Sequence, residues 1–288
     1  LLFLVQIFIL NSPLWAENIF FISPTGSDTS GSGTKDNPWQ SLSKAIATAD
    51  DGDVIYLKDD NNASSVDYKQ NVIIDKAVSI QGYDTDKTYP LLVPQTEEPI
   101  LTLKSDGIKI SSLRFSRGNF DKYAKIWSIF INGVKNCELA HNMLGDIPEG
   151  IYLNSTQHIA VNNNTIDNIT FRGILLKDAG HNNISFNRLG DCGSGVNVYN
   201  SKNNSIIGNN FKDNSAALRI SGGQLDNIIF GNLFKNNTNK LLKDSSSAVL
   251  GTWRSPVKIA YNYAGNSTKS YLGNYYQDYN GSDLNMNG

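Results

Sequence analysis

Lys177, Tyr199 and Arg219 recur at intervals of 22 and 20 residues, with Arg172 five residues before Lys177. A lysine or tyrosine beside a guanidinium is the equipment for β-elimination from a uronic acid. A base removes the proton next to the carboxylate, and a cation or amide absorbs the charge that develops. Held together without a matched base, the same groups bind carboxylates and nothing more. Hydrolysis of a glycosidic bond asks instead for two carboxylates facing the scissile bond at a set separation. The nearest acids, Asp146, Glu149, Asp191 and Asp213, fit a set of turn residues, so hydrolysis is disfavoured.

Such distant residues act together only if the chain returns to the same place about every 22 positions, and it shows that period. The pattern apolar-x-x-Asn-x-apolar occurs at Leu139/Asn142/Leu144, Val161/Asn164/Ile166, Ile184/Asn187/Leu189, Ile206/Asn209/Phe211 and Ile229/Asn232/Phe234. The asparagines are spaced by 22, 23, 22 and 23 residues. Ile110/Leu113/Phe115 extends the series upstream with Leu in the Asn slot, and Ile259/Asn262 extends it downstream. A second apolar column precedes the slots by thirteen or fourteen residues: Ile100, Ile129, Ile151, Ile174, Val196, Leu218 and Val249. Short β-branched runs at this period, punctuated by Gly, Asn and Asp, predict one coil of a parallel β-helix, with equivalent residues ~4.8 Å apart. The asparagines then sit at a bend, each amide bonding to those above and below. They specify fold rather than chemistry.

Alternation along the second strand places Phe130, Tyr152, Leu175, Asn197, Arg219 and Leu250 in one outward column. Asn132, Asn154, Lys177, Tyr199, Ser221 and Thr252 form the next. Two longer coils place insertions just before this strand, one from "RGNFDKYAKIW" and one from "KNNTNKLLKDSSS", walling the face at both ends. Phe120, Tyr123 and Trp127 enrich the first, and aromatic planes beside cations suit sugar rings and uronate carboxylates. Phe130, Tyr152, Asn154, Asn197, Tyr123 and Trp127 are thus the candidate ligand contacts, and Lys177, Tyr199, Arg219 and Arg172 the candidate catalytic set. The plainer account is a hydrophobic flank covered by aromatics and insertions that drift on the surface.

Elsewhere the sequence mostly excludes. A net charge of -2 with scattered Lys and Arg gives no basic patch for nucleic acid. Cys137 and Cys192 belong to no CxxC pair and fall at different corners about two coils apart, so they are not expected to bridge. His158 and His181 share a corner column with Asn136, Asn203 and Asp226, a place for solvated turn residues more than for a metal. Residues 1–16 read as a secretory signal clipped at its start, leaving no membrane span after its removal. The tail "DLNMNG" offers Asp283, Asn285 and Asn287 as a weak calcium half-loop lacking the downstream acid. Triplets such as "NST" at 154 and "NIT" at 168 are glycosylation acceptors only in a host that glycosylates exported proteins.

A resemblance adds to these expectations. The segment "FFISPTGSDTSGSGTKDNPWQSLSKAIATADDGDVIYL" resembles the opening of secreted pectate-lyase-like β-helix proteins, and the Asn-rich coils resemble the repeats of the NosD-type family. "GNYYQDYNGSDLNMNG" is similar to the closing segment of NosD-like and archaeal surface β-helix proteins, which the chain leaves at Gly288. The implied fold is all-β, a single-stranded right-handed parallel β-helix spanning 17–270. Its N-terminal end is capped by an amphipathic helix at 39–50, and a truncated Asn/Asp/Gly-rich segment follows at 271–288. "DVIYL" and "AVSIQG" read as the first strands after that helix. The implied location is secreted, periplasmic or cell-surface, and the implied partner a polysaccharide or surface glycan. Binding is the first expectation, uronate cleavage or epimerisation the second. NosD-like copper-centre maturation is the third, with few His and Met to support it.

Overall fold

Three short strands and four corners make each coil, and the corners explain the composition. In the computed structural model, which describes residues 17–59, 68–83, 89–223, 226–243, 251–263 and 266–277, the backbone turns at residues with positive φ. Asn136, His158, His181, Asn203 and Asp226 form one such column, and Asp146, Asn168, Asp191, Asp213 and Asn236 another. Asn and Asp adopt this left-handed conformation more readily than other side chains bearing a Cβ. The acids four residues after the asparagine slots are therefore turn residues, as expected.

Ladder asparagines occupy the inward position after a corner. Asn142, Asn164, Asn187, Asn209 and Asn232 are buried. Asn187 is typical: its Nδ2 donates to Asn209 Oδ1 at 3.0 Å and to the Val161 carbonyl at 2.8 Å. Its Oδ1 accepts from the backbone N–H and the side-chain amide of Asn164, both at 3.0 Å. At the upstream end Leu113 fills the slot, and its N–H donates to Asn142 Oδ1. Two further ladders escaped the sequence pattern, Asn182–Asn204–Asn227 and Asn214–Asn237. Cys137 and Cys192 are buried free thiols.

The strands pair in parallel, in a ten-stranded and a fifteen-stranded sheet that share one core. Ile129, Ile151, Ile174, Val196 and Leu218 stack inward in register, while Phe211, Phe234 and Tyr276 stack as rings 5.2 and 5.0 Å apart. Leu101, not Ile100, stands beneath Ile129, although both are buried.

The capping helix is shorter than its sequence pattern: it runs Leu42–Thr48, not 39–50. Asp28 Oδ1 accepts from the N–H groups of Gln40 and Ser41, and the Ser41 side chain caps the helix by accepting from the Lys44 N–H. Trp39 bridges to Ile22 instead of entering the helix. Leu42, Ala45 and Ile46 face the core as expected. "DVIYL" supplies the first strand after the helix, Val54–Lys58, as expected, and it pairs with a strand Ile19–Ile22 that precedes the helix.

At the other end the periodic extension fails. Ile259–Tyr263 pairs antiparallel with Asn266–Ser270, and Asn274 takes the ladder position assigned to Asn262, receiving Asn232 Nδ2 at 2.9 Å. Tyr275–Tyr276 carries the pairing past residue 270. Arg219 is followed in its column by Leu242, not Leu250, and Leu218 by Leu241, not Val249. Leu250 and Val249 lie outside the described residues. Thr252 belongs to the ten-stranded sheet beside Ile228. Strand Asn239–Lys243 follows at the ordinary interval, so no insertion precedes this outward strand, and residues 244–250 after it lie outside the described residues. Residues 1–16 lie outside the described residues. No helix among those described is long and apolar enough to cross a membrane.

Replacing Asn187 by Ala strands several buried donors and acceptors at once and should cost about 4 kcal/mol. The corner substitution Asn168→Ala, with φ of 54°, should cost about 1 kcal/mol. Urea unfolding followed by circular dichroism checks the ranking, and equal midpoints would refute the structural role given to the ladder.

Candidate functional site

The outward strand segments of five coils line an open groove of about 850 Å³. Register builds it in three columns. Trp127, Glu149, Arg172 and Ser194 form the first; Phe130, Tyr152, Leu175, Asn197 and Arg219 the second; Asn132, Asn154, Lys177, Tyr199 and Ser221 the third. Of the sequence-predicted residues, Trp127, Tyr152, Arg172, Lys177, Asn197, Tyr199 and Arg219 all line this cavity. Phe130 packs edge-on against Tyr152 at 5.2 Å. Asn154 donates to Asn132 Oδ1 at 2.7 Å and receives the Tyr152 hydroxyl at 3.4 Å, and neither it nor Phe130 lines the cavity. Tyr123 stands outside the lining set, its ring 6.3 Å from Phe171.

A glycine column shapes the first strand turn of the groove. Gly150, Gly173 and Gly195 lie in successive coils, where a Cβ on Gly150 would meet the Gly173 carbonyl oxygen at 2.1 Å. Just before it, the register shifts between Ile147 and Glu149, where the facing strand carries one extra residue, a β-bulge at Thr170 and Phe171. The bulge leaves Phe171 41 % exposed at the groove's edge, near Tyr123 on the 116–126 loop.

Sequence reasoning missed Phe171 and misplaced Glu149. Glu149 is no corner residue: it lies in the first column, is 5 % exposed and forms a salt bridge with Arg172. Nε and Nη2 of Arg172 both donate to this carboxylate, and the guanidinium also lies 5.2 Å over the Trp127 ring. Burial raises the Glu149 carboxyl above the ordinary glutamate range, against the lowering influence of Arg172. The signal was legible as Glu149-Gly150-Ile151, Arg172-Gly173-Ile174 and Ser194-Gly195-Val196, a second repeat one coil apart.

The remaining electrostatics are one-sided. Among the described residues neither Lys177 nor Arg219 has an ion-pair partner, and no Asp or Glu lines the cavity. Asn197 Oδ1 is buried on the groove floor with no hydrogen-bond partner among the described residues. Two unpaired cations, aromatic faces and an unsatisfied carbonyl oxygen are complementary to a ligand carrying carboxylates, ring C–H faces and hydroxyl donors. Two catalytic carboxylates for hydrolysis are missing from the lining. Asp283, Asn285 and Asn287 lie outside the described residues.

A family model described as "Periplasmic copper-binding protein (NosD)" matches residues 47–281. No curated protein matches the chain in sequence. Among solved structures, XylC in its complex with xylose aligns with a TM-score of 0.53 at 10% identity, over 90% of this chain and 74% of that one. A lacto-N-biosidase from Eubacterium ramulus gives 0.51 at 12% identity, over 82% and 67%. A rhamnogalacturonan lyase gives 0.50 at 12% identity, over 81% and 84%. At these identities the likeness is one of fold.

The described residues do not supply a copper site. No cluster of three or more His, Cys, Asp or Glu side chains is placed to hold a metal among them. His158 and His181 stack with ring centroids 5.5 Å apart and planes 26° apart, and no third His, Cys, Asp or Glu donor joins them among the described residues. Burial pushes the Cys137 thiol up to about 11 and the Cys192 thiol up to about 12, which keeps both protonated at neutral pH, and metals bind the thiolate.

Arg172→Ala would leave the Glu149 carboxylate buried and unpaired and should cost about 3 kcal/mol at pH 7. Because the folded-state pKa of Glu149 is raised, the folded state holds its proton to higher pH than the unfolded chain. Stability from this group is therefore greatest below the ordinary glutamate value and falls as pH rises through the raised one. The Arg172→Ala penalty should shrink on acidification, as urea midpoints at pH 4 and pH 7 will show. A penalty independent of pH would assign it to lost packing on Trp127.

Proposed function

The chain belongs to the NosD family, and from that premise we propose a periplasmic or cell-surface β-helix protein that binds an acidic polysaccharide along one face. The observation that carries this reading is the pairing of two unpartnered cations, Lys177 and Arg219, with the aromatic wall of Trp127, Tyr152 and Tyr199 in a cavity lined by no carboxylate. Equivalent positions repeat every ~4.8 Å along the solenoid, a distance on the scale of one pyranose unit, so an extended glycan meets the same columns as it runs along the axis. Among the described residues Asn197 Oδ1 lacks a donor, and a sugar hydroxyl is one. That XylC holds xylose and a rhamnogalacturonan lyase shares this fold supports a carbohydrate ligand.

A second reading, a uronate lyase or epimerase, uses the same surface. It is favoured by Lys177 and Tyr199 standing side by side in consecutive coils, where one would take the proton and Arg219 would neutralise the carboxylate. Arg172 is unsuited to a base, being fixed on Glu149.

The full chain should be retained by pectate, alginate or hyaluronan and not by neutral glycans. The double variant Lys177→Ala/Arg219→Ala should weaken that retention about tenfold, two charge-assisted contacts being lost. Retention of neutral glycans with equal strength, or indifference to the double variant, would overturn the proposal. Appearance of an ultraviolet-absorbing unsaturated product would move the assignment to the second reading.

A further inference from the structure

The first column of the groove holds an arrangement that neither stacking nor binding alone requires. Trp127, Glu149, Arg172 and Ser194 are register neighbours in four successive coils. All point outward, yet Glu149 is nearly inaccessible. Arg172 is the reason. Its guanidinium reaches back across Glu149, donates from Nε and Nη2 to both carboxylate oxygens, and comes to rest over the Trp127 ring two coils away. Among the described residues Nη1 makes no hydrogen bond, and the Arg172 side chain remains 37% exposed on the groove wall.

Stability does not explain such a pair. A buried carboxylate loses its hydration, and an ion pair repays that loss no better than packed apolar side chains of the same volume. The same column uses Ser194 and Ala216 in the next two coils without any charge. The pair changes the electrostatics of the cavity instead. It cancels the Arg172 charge, fixes the plane of its guanidinium, and leaves Lys177 and Arg219 as the free cations.

We propose that Glu149 is a positioning residue that sets how the groove reads charge. It masks Arg172 as a free cation and holds it as a fixed donor edge on Trp127, so that the groove selects ligands by the placement of their anionic groups and rejects indiscriminate polyanions. The inference rests on the groove being a glycan site, and it names which acidic ligands that site discriminates against.

The test uses the full chain with Glu149→Gln and three probes: oligogalacturonate, the densely charged dextran sulfate, and the neutral maltoheptaose. Unmasking one cation should tighten dextran sulfate binding about threefold at low salt and steepen its salt dependence. Oligogalacturonate should gain less, so the preference for it over dextran sulfate falls, while maltoheptaose is unaffected. Equal changes for all three probes, or no change for dextran sulfate, would overturn the proposal. A readout without ligand runs in parallel: the Trp127 share of the fluorescence, isolated by difference from Trp127→Phe, should change when Glu149→Gln frees the guanidinium. An unchanged share refutes the positioning role even if the protein binds no glycan. Wild-type protein that binds no glycan, with the Trp127 share altered, removes the glycan reading and leaves the positioning intact. If Glu149→Gln does not fold, Glu149→Asp keeps the charge and withdraws the carboxylate by one methylene: the Trp127 share should change while dextran sulfate binding stays close to wild type, and an unchanged share refutes the positioning role.

Discussion

Exact stacking in register is the constraint from which the rest of this molecule follows, and the buried asparagine ladder enforces it. A ladder amide bonds to the coil below, to the coil above and to a main-chain carbonyl further back. Sliding one coil by a single residue would break those bonds in both directions and turn each inward aliphatic residue toward solvent. Register fixed on the inside therefore fixes the outside. Lys177 stands beside Tyr199, and Asn197 beside Arg219, because Asn164, Asn187 and Asn209 stand above one another in the core. The surface takes its order from the core, and contacts of its own, such as Asn154 on Asn132 and Arg172 on Glu149, are added to it.

That dependence explains how far the sequence could be read. Where the period was regular, one aligned column was enough to place every other residue, so the outward columns from Phe130 to Arg219 and from Asn132 to Ser221 came out in their true neighbourhood. Where the period broke, the pattern misled. Apolar-x-x-Asn is a short local signal, and Ile259–Tyr263 carries it while pairing antiparallel with Asn266–Ser270. The true successor, Asn274, lies 42 residues after Asn232, a separation no fixed period anticipates. Trp39 misled for a different reason. It fits the helical face by spacing and is buried, but Asp28 ties down the N–H groups of the next two residues and delays the helix. Tertiary hydrogen bonds, invisible to periodicity, decided that boundary.

Family and site separate along the same line. The NosD match and the likeness to carbohydrate-active proteins both report the coil, since a repeat that buries asparagines and aliphatics in fixed places leaves a strong sequence imprint whatever its outer face does. The outer face is not fixed by the repeat, and among the described residues it gathers no cluster of metal donors. His158 and His181 stack in one corner column and His141 sits in another, the thiols are buried and protonated, and the groove presents cations and rings. Chemistry must be read from those groups, because the interior that defines the family is indifferent to them.

One irregularity, the antiparallel pair of Ile259–Tyr263 and Asn266–Ser270, lies toward the C-terminal end, but several others gather around the groove. A strict repeat needs no bulge, no glycine column with a charged pair beside it, and no aromatic loop. The chain has a bulge at Thr170 and Phe171, the Glu149–Arg172 pair against Gly150 and Gly173, and a loop at 116–126 whose Tyr123 leans toward Phe171. All of them border the same groove. Each costs something in a solenoid that would otherwise close on regular strands: a bulge interrupts the ladder of backbone bonds, a buried carboxylate gives up its hydration, and an exposed ring leaves apolar surface in water. Chance departures from the repeat would be spread over three faces and several coils. Their grouping on the face with two unpaired cations supports the ligand site proposed there.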